Sequence, residues 1–304
     1  MAFAASKCRP ARKPLWLNLD ETSVGMVFET GQGTVITAST PGGLKEALGV
    51  KPSLSERRAA VTFIAMICDQ SHVQPRLPQV IVGNKRHFTR KLLTEIAFEK
   101  PASVHLLSEV SAWNSSTIMT KVVGLLADAL APFMAEYRPV LLLDCATCHL
   151  TPEVLAIARK RDILLVFVPA GATPYLQPLD TTAFKSYKSF LRREFGRLML
   201  ESSDGTVPRV AWLRLLIRAA TSHLCSKKWA PAFKSAGADA AAGELSSELR
   251  RRLPNGLGEA LPSGPPTTEQ LQQLFPRGRP PPSEELLSLD VPRRRLRFKS
   301  TPVK

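Results

Sequence analysis

Residues 140–168 read VLLLDCATCHLTPEVLAIARKRDILLVFV, and this stretch decides the fold. It begins and ends with continuous apolar runs, Val140 to Leu143 and Ile163 to Val168, which are typical of strands buried on both faces of a sheet. Between them, Thr151 followed by Pro152 predicts the N-cap and first residue of a short helix. Because strand, helix and strand in this order pair in parallel, the segment predicts an α/β sheet.

Four segments nearer the N-terminus predict further strands. They are Leu15–Asp20, which alternates in part and ends at an acid, and the apolar runs Thr34–Thr37, Ala60–Cys68 and Gln79–Val82. The stretch 39–55 is punctuated by proline and glycine and predicts a surface loop.

Three longer segments have the spacing of amphipathic helices. The first covers residues 115–134, with Asn114 or Ser115 as its expected N-cap. The second starts near Asp180, and the last covers roughly Pro208–Leu224. The sequence therefore predicts a single α/β domain in which a mixed sheet is flanked by helices.

Composition limits the classes of function. The chain has 304 residues with 41 Lys and Arg against 26 Asp and Glu, a formal net charge of +15, which favours a polyanionic partner such as nucleic acid. No run reaches the ~18 consecutive apolar residues of a membrane span, so we expect no membrane partner. Five cysteines are too few for a secreted disulfide scaffold, and a reducing compartment is expected.

The end of the chain differs from the rest in composition. Residues 251–304 contain 10 of the 25 prolines and end in a basic cluster, Arg293 to Lys299. Proline at this density permits neither helix nor central strand, so we predict a disordered, basic, Pro-rich C-terminal tail over residues 236–304. The cluster fits either a nuclear-import or phosphate-contacting patch or a solvated tail. The predicted domains are a basic stub over 1–13, one domain over 14–235, and this tail.

Three aspartates are the candidate catalytic and metal-binding residues. Asp20 and Asp144 each end an apolar strand, and ligands of open α/β sheets gather at the carboxyl ends of strands. If the two strands are neighbours, their carboxylates lie at one edge, where Asp180 in the first turn of a helix can complete a cluster. Carboxylates without imidazole or thiolate favour Mg²⁺ or Mn²⁺. Each aspartate alone also has a purely structural interpretation, at a strand end or in a first helical turn.

The sequence around these acids resembles a known family. Residues 141–150, LLLDCATCHL, are similar to the "LLLDNAxxH" block of DDE-superfamily endonucleases, the pogo-like branch of mariner-type transposases. Residues 163–188 resemble that family's "IxLxFLPPxxTxxLQPLDxxxFxxxK" block, and residues 17–22, LNLDET, resemble its first-acid strand. Gln177 to Asp180 is the most specific part, and the similarity covers about residues 14–235.

The resemblance implies a ribonuclease-H-like fold in which Asp20, Asp144 and Asp180 bind two divalent ions, Mg²⁺ or Mn²⁺. By position, Asp20 would bridge both ions, and the other two aspartates would each hold one. The implied activity is metal-dependent hydrolysis of a DNA phosphodiester, after which the freed 3′-hydroxyl joins the element end to target DNA. DNA is therefore the implied partner, a homodimer acting on paired ends is implied as well, and the expected location is the nucleus.

Four further residues are candidate DNA contacts. His149 matches the family histidine that follows the second acid, where a phosphate contact is implied; the alternative is an ordinary polar residue with satisfied hydrogen bonds. A basic stripe after the third acid could contact phosphates in a DNA groove, although a solvated helix face has the same pattern. The stripe consists of Lys185, Lys188 and Arg192. Trp113 and Trp229 are expected to pack rather than to stack on bases.

The chain departs from the family pattern in several places. Cys145 stands where the family has Asn, and residues 169–171 read Pro-Ala-Gly where it has Pro-Pro-Asn. Family members carry an N-terminal helix-turn-helix region, and we expect no such module in front of Leu15. The alternative function is therefore a catalytically inactive transposon relic, or a domesticated DNA-binding or interaction protein on the same fold.

Residues 145–149 form the C-x-x-C-H pattern of haem attachment. Haem attachment needs an export context that the N-terminus does not provide, so we expect no haem. A zinc site there needs further soft ligands, and Cys8, Cys68 and Cys225 show no paired spacing. Free thiols are therefore the expectation.

Overall fold

The structure is a computed structural model that describes Cys8 and residues 12–25, 60–168, 172–202 and 206–237. The predictions of a strand at 34–37 and of a loop at 39–55 lie outside these residues. The predicted C-terminal tail does so too, apart from its first two positions.

Six strands form one mixed sheet in the order β4-β3-β2-β1-β5-β6. Strand β2 is antiparallel to both of its neighbours, whereas β3–β4, β1–β5 and β5–β6 are parallel pairs. Every strand except β2 therefore ends at the same edge of the sheet. The strands are β1 Lys13–Gly25, β2 Ala60–Cys68, β3 Gln79–Asn84, β4 Val104–Glu109, β5 Tyr137–Asp144 and β6 Leu164–Val168.

Helices cover both faces of this sheet, which confirms the predicted α/β class of a mixed sheet flanked by helices. Helices α2 and α3 pack on one face, and α1, α5, α6 and α7 pack on the other. The helices are α1 Arg90–Ala97, α2 Ser116–Leu130, α3 Pro152–Lys160, α4 Thr173–Leu176, α5 Phe184–Glu201, α6 Arg209–Arg218 and α7 Ala230–Ser235. A π-helical turn, Leu179–Ala183, leads into α5, and another, Ala219–Cys225, continues α6.

Strand β1 is central and buried on both faces. Leu15, Leu17 and Leu19 pack under α2 and α3, whereas Trp16 packs on the opposite side. Because side chains alternate along a strand, Asp20 continues the face of Trp16, and Glu21 continues the face of the leucines. This alternation separates two polar clusters at the same edge of the sheet.

Helix α2 follows the predicted boundaries. Of its two expected N-caps, Ser115 is the one whose hydroxyl accepts a hydrogen bond from the Ile118 N–H, at 3.3 Å. By length and composition alone, the helical stretch Ser116–Phe133 could span a membrane, with a mean hydropathy of 1.3. One face of it, which includes Met119, Val122 and Leu126, is fully buried against the sheet, which is the packing of a core helix.

The two tryptophans behave differently. Trp229 is buried, as predicted, and its indole N–H donates to the Leu224 carbonyl at 2.9 Å. The packing prediction for Trp113 is wrong, because 79% of its surface is exposed. It lies in the loop between β4 and α2, after the last residue of an edge strand.

Candidate active site

Strand pairing brings the first two aspartates to one edge. Strands β1 and β5 are parallel neighbours with Asn18 opposite Leu142, and Asp20 and Asp144 each lie two residues further along. Asp144 is also level with Val168, the last residue of β6. The two acid-bearing strands are therefore neighbours, as the prediction required. The prediction that Asp20 ends its strand is wrong, because β1 continues to Gly25 and Asp20 lies opposite Ala65 of β2.

Asp180 joins the same cluster from the helical side. It lies in the π-helical turn before α5, close enough to Asp20 and Asp144 for both to affect its pKa. The turn is anchored by Asn18, whose side-chain oxygen accepts from the Leu179 N–H at 2.8 Å and whose amide donates to the Leu142 carbonyl at 3.2 Å. The three predicted aspartates thus come together, while their role as metal ligands stays a prediction.

Gln177 links the first two acids. Its side chain is fully buried, and in the amide orientation that satisfies both partners its N–H donates to Asp20 Oδ2 at 2.9 Å. Its oxygen then accepts from the Asp144 backbone N–H at 3.0 Å. One side chain from the loop before α5 therefore fixes the relative position of β1 and β5 at the site.

Negative charge dominates the cluster. Burial, followed by the negative charges of Asp180, Glu21 and Asp144, raises the pKa of Asp20 to about 8. Burial also raises the pKa of Asp180, against the lowering effects of Asp20 and of Lys188. Like charges this close cannot all ionise, so the cluster retains a proton at neutral pH unless a cation replaces it. An all-oxygen donor set with excess negative charge fits the hard divalent ions that the family uses.

His149 does not occupy the position that the DNA-contact prediction gives it. Its side chain is fully buried, with Nδ1 at 2.6 Å from Asp144 Oδ1 and Nε2 at 2.9 Å from Glu21 Oε1. Burial opposes the charge on this imidazole, but the hydrogen bonds to Asp144, Cys148 and Glu21 outweigh it and raise the pKa of His149. Both ring nitrogens are used inside the protein, so His149 orients Asp144 instead of meeting a phosphate.

The contact with His149 also determines the ionisation of Asp144. Its partial burial favours the neutral acid, but the hydrogen bond and charge of His149, with the Ala146 N–H at 2.9 Å from Oδ1, together lower the pKa of Asp144. Asp144 is therefore ionised under conditions in which Asp20 keeps its proton. Burial and hydrogen bonding thus shift the pKa values of Asp20 and Asp144 in opposite directions, although both residues follow similar apolar runs in the sequence.

The predicted basic stripe lies on α5, directly after Asp180. Lys188 is near enough to lower the pKa of Asp180, and its ammonium lies 5.9 Å from the centre of the Phe184 ring. Lys185 and Arg192 are exposed on the same face of the helix. Contact of these residues with DNA stays a prediction.

Sequence reasoning missed the polar residues that hold the acids. Asn18 and Gln177 lie inside the motifs that carry the family resemblance, LNLDET and QPLD, and an amide in an otherwise apolar strand was the available signal. Glu21 adjoins Asp20 in the same motif. Their partners include residues distant in the chain, Leu179 for Asn18, His149 for Glu21 and Asp20 for Gln177, so these contacts are visible only in the folded structure.

A mixed sheet flanked by helices, with two aspartates on neighbouring parallel strands and a third in a helical turn, defines the class of this protein. Residues 60–231 match the model of the family described as DDE superfamily endonuclease, which is more than half of the chain, and the chain belongs to that family. The matched region begins after β1, so Asp20 lies outside it. Pairing of β1 with β2 and β5 brings that residue to the other two acids.

Individual relatives are more distant. Over 80 residues the chain is 32% identical to the human "Pogo transposable element with ZNF domain", a match to 26% of this chain and 6% of that protein. Among solved structures, the Mos1 transposase paired-end complex with left transposon end matches at 14% identity and a TM-score of 0.36. The Mos1 mariner paired end complex with Mn matches at 13% identity and a TM-score of 0.37. Both overlaps cover 73% of this chain and 55% of the Mos1 chain.

Proposed function

We propose that this chain is a transposase-derived DDE endonuclease core that hydrolyses DNA phosphodiesters in a reaction dependent on divalent metal ions, followed by strand transfer. The observation that carries the proposal is the convergence of Asp20, Asp144 and Asp180 at one edge of the sheet, with Gln177 bridging the first two. Family membership supports the same chemistry.

The three aspartates would hold two Mg²⁺ or Mn²⁺ ions, with Asp20 shared between them. Such a pair of ions, when bound, stabilises the attacking and the leaving oxygen of an in-line phosphoryl displacement. The contribution of the chain itself is positional: Asn18 and Gln177 fix the strand ends and the turn that carry the acids, and His149 orients Asp144. A site held by fully buried amides is preorganised for ion binding.

DNA is the proposed substrate. The net charge of +15 favours a polyanion, and α5 presents Lys185 and Arg192 to solvent next to Asp180. Phosphate contacts from such a stripe would position DNA without reading its sequence. A homodimer acting on paired DNA ends and a nuclear location are part of the same proposal.

Mn²⁺ binding measured by calorimetry tests the metal site directly. We expect the full chain to bind about two ions, and Asp144→Asn to lose that binding with little change in thermal stability. The matched control is Asp128→Asn, which removes an exposed carboxylate on α2 that pairs with Arg161 at 3.0 Å and should leave ion binding unchanged. Unchanged affinity in a folded Asp144→Asn protein would overturn the proposal.

An inactive DNA-binding scaffold is the second candidate, and the residue after Asp144 favours it. Cys145 stands where the family pattern has Asn, and its thiol donates to the Val168 carbonyl at 3.3 Å, so it supplies no oxygen ligand to the cluster. A folded wild-type chain that binds DNA but no Mn²⁺ would support this candidate. Nicking of supercoiled DNA, lost in Asp144→Asn, would exclude it.

A further inference from the structure

A second polar cluster lies on the opposite face of β1 from Asp20. Glu21, Cys148 and His149 offer a carboxylate oxygen, a sulfur and an imidazole nitrogen that all lie within 4.8 Å of one another. Glu21 faces α2 and α3 because it follows Asp20 in the strand, and the turn after β5 brings Cys148 and His149 to it. This Glu21–Cys148–His149 cluster is thus distinct from the three aspartates, although it shares their edge of the sheet.

The donor set differs in chemical character from that of the aspartates. One thiolate, one imidazole and one carboxylate form a mixed soft and borderline set, which suits Zn²⁺ and is a poor match for Mg²⁺. The three aspartates offer oxygen only. The two faces of the same strand end therefore select different metal ions.

Two contacts prepare the cluster for an ion. His149 Nδ1 lies 2.6 Å from Asp144 Oδ1, so a carboxylate fixes the ring and leaves Nε2 directed at Glu21. This is the outer-shell arrangement that orients histidine ligands of zinc. The Asn114 amide donates to both Glu21 and Cys148 Sγ, the latter at 3.7 Å, and so occupies the place between two ligands that a cation would take.

We propose that Glu21, Cys148 and His149 bind one Zn²⁺-class ion, with the fourth position open to water. On binding, the Cys148 thiol releases its proton to solvent, and the ion replaces the hydrogen bonds between His149 and Glu21 and from Asn114. Because His149 also holds Asp144, the bound ion fixes the orientation of that carboxylate. The site stands on its own donor atoms and does not depend on endonuclease activity.

Co²⁺ is the probe, since a cobalt–thiolate bond gives a charge-transfer absorption band in the near ultraviolet that carboxylate ligands do not give. The full chain, kept in excess Mg²⁺ to occupy oxygen sites, should show this band at one equivalent of Co²⁺ and should lose it when Zn²⁺ is added. Cys148→Ser should abolish the band and weaken Zn²⁺ binding more than about tenfold, the loss expected from removal of even an outer-shell partner.

Cys145→Ser is the matched control, because Cys145 is a partly buried thiol three positions away whose sulfur contacts the Val168 carbonyl instead of the cluster. It should keep both the band and the Zn²⁺ affinity. Absence of the band in the wild-type chain, its survival in a folded Cys148→Ser protein, or its loss in Cys145→Ser would each overturn the site. Loss of the band in Cys145→Ser would mean that the Co²⁺-bound thiolate is Cys145 and that the ion lies on the side of the aspartates.

Discussion

At the scale of single residues, two buried glutamines allow an effect on stability to be distinguished from an effect on ion binding. Gln177 joins Asp20 to Asp144, whereas Gln74 accepts from the Cys68 N–H at 2.7 Å and donates to the Met66 carbonyl at 3.2 Å, away from the acids. Both are almost completely buried, with exposures of 0% and 1%. Each side chain accepts one hydrogen bond and donates another, but only Gln177 contacts the aspartates, so Gln74 serves as its control.

Gln177→Met should lower the free energy of unfolding by about 1–3 kcal/mol, because it leaves a buried carboxyl oxygen and a buried N–H without partners. It should also weaken Mn²⁺ binding, since the two strand ends lose their link. Gln74→Met should cost similar stability and leave Mn²⁺ affinity as in wild type. Urea unfolding and calorimetry on both variants check this, and equal losses of ion affinity would contradict a positioning role for Gln177.

Asp69 is a residue whose ionisation should couple to stability. Its Oδ1 accepts from the Trp16 N–H at 3.2 Å. Burial raises the pKa of Asp69 to about 6, against smaller lowering contributions from its hydrogen bonds and from His72. The folded state therefore holds the proton more tightly than the unfolded state, and stability falls as pH rises from about 4 through about 6.

Asp69→Asn removes this ionisation while keeping an oxygen that can accept from Trp16. We expect the variant to have a higher Tm than wild type at pH 7.5 and an equal Tm at pH 4. Thermal unfolding followed by circular dichroism at the two pH values provides the measurement. An advantage of the same size at both values would mean that the charge of Asp69 is not the cause.

At the scale of elements, two glycines differ in whether their surroundings leave space for a Cβ atom. A Cβ at Gly83 in β3 would overlap the ring of Phe88, whereas a Cβ at Gly196 in α5 would meet no described atom within 4 Å. We expect Gly83→Ala to destabilise by about 1–3 kcal/mol through overpacking. Gly196→Ala should stabilise by up to about 1 kcal/mol, because alanine is the better helix former. Urea unfolding of both variants checks the opposite signs.

The elements that the sequence predicted are those marked by a continuous apolar run or by a helix start signal. Strands β5 and β6 and helix α3 followed from continuous apolar runs and the Thr151-Pro152 start, and the crossover between them is parallel as expected. Strand β4 was not predicted, since its sequence VHLLSE mixes polar and apolar residues and forms no continuous apolar run.

Part of the candidate site was also predictable from the sequence. Asp20 and Asp144 end apolar runs, so their position along the chain marks them, whereas Asp180 was marked by the resemblance of residues 177–180 to the family motif. The face on which Glu21 lies, and the partner that Gln177 meets, depend on strand register and on a π-helical turn, which a local pattern does not encode. Sequence thus located the acids, and packing of distant segments decided how they are held.

At the scale of the whole molecule, some of the described basic side chains are paired with carboxylates, and others are free to bind an anionic partner. On α5, Arg193 and Arg197 pair with Glu194, and Arg218 of α6 pairs with the same carboxylate. Lys185 and Arg192 are exposed, and among the described residues neither has a carboxylate partner. These two cations face solvent on one side of α5, the helix that follows Asp180 in the chain, and add positive potential to that surface.

Unpaired cations that contact DNA release counterions, so they should dominate the salt dependence of binding. The double variant Lys185→Ala/Arg192→Ala should reduce the slope of log affinity against log salt by about two, since each lost phosphate contact removes about 0.9. Arg197→Ala is the control, because its guanidinium already pairs with Glu194 and Glu201. Fluorescence anisotropy with one duplex over a KCl series measures all three slopes. An unchanged slope in a folded double variant would move the DNA surface away from α5, and a change confined to that variant would fix the path of the duplex beside Asp180.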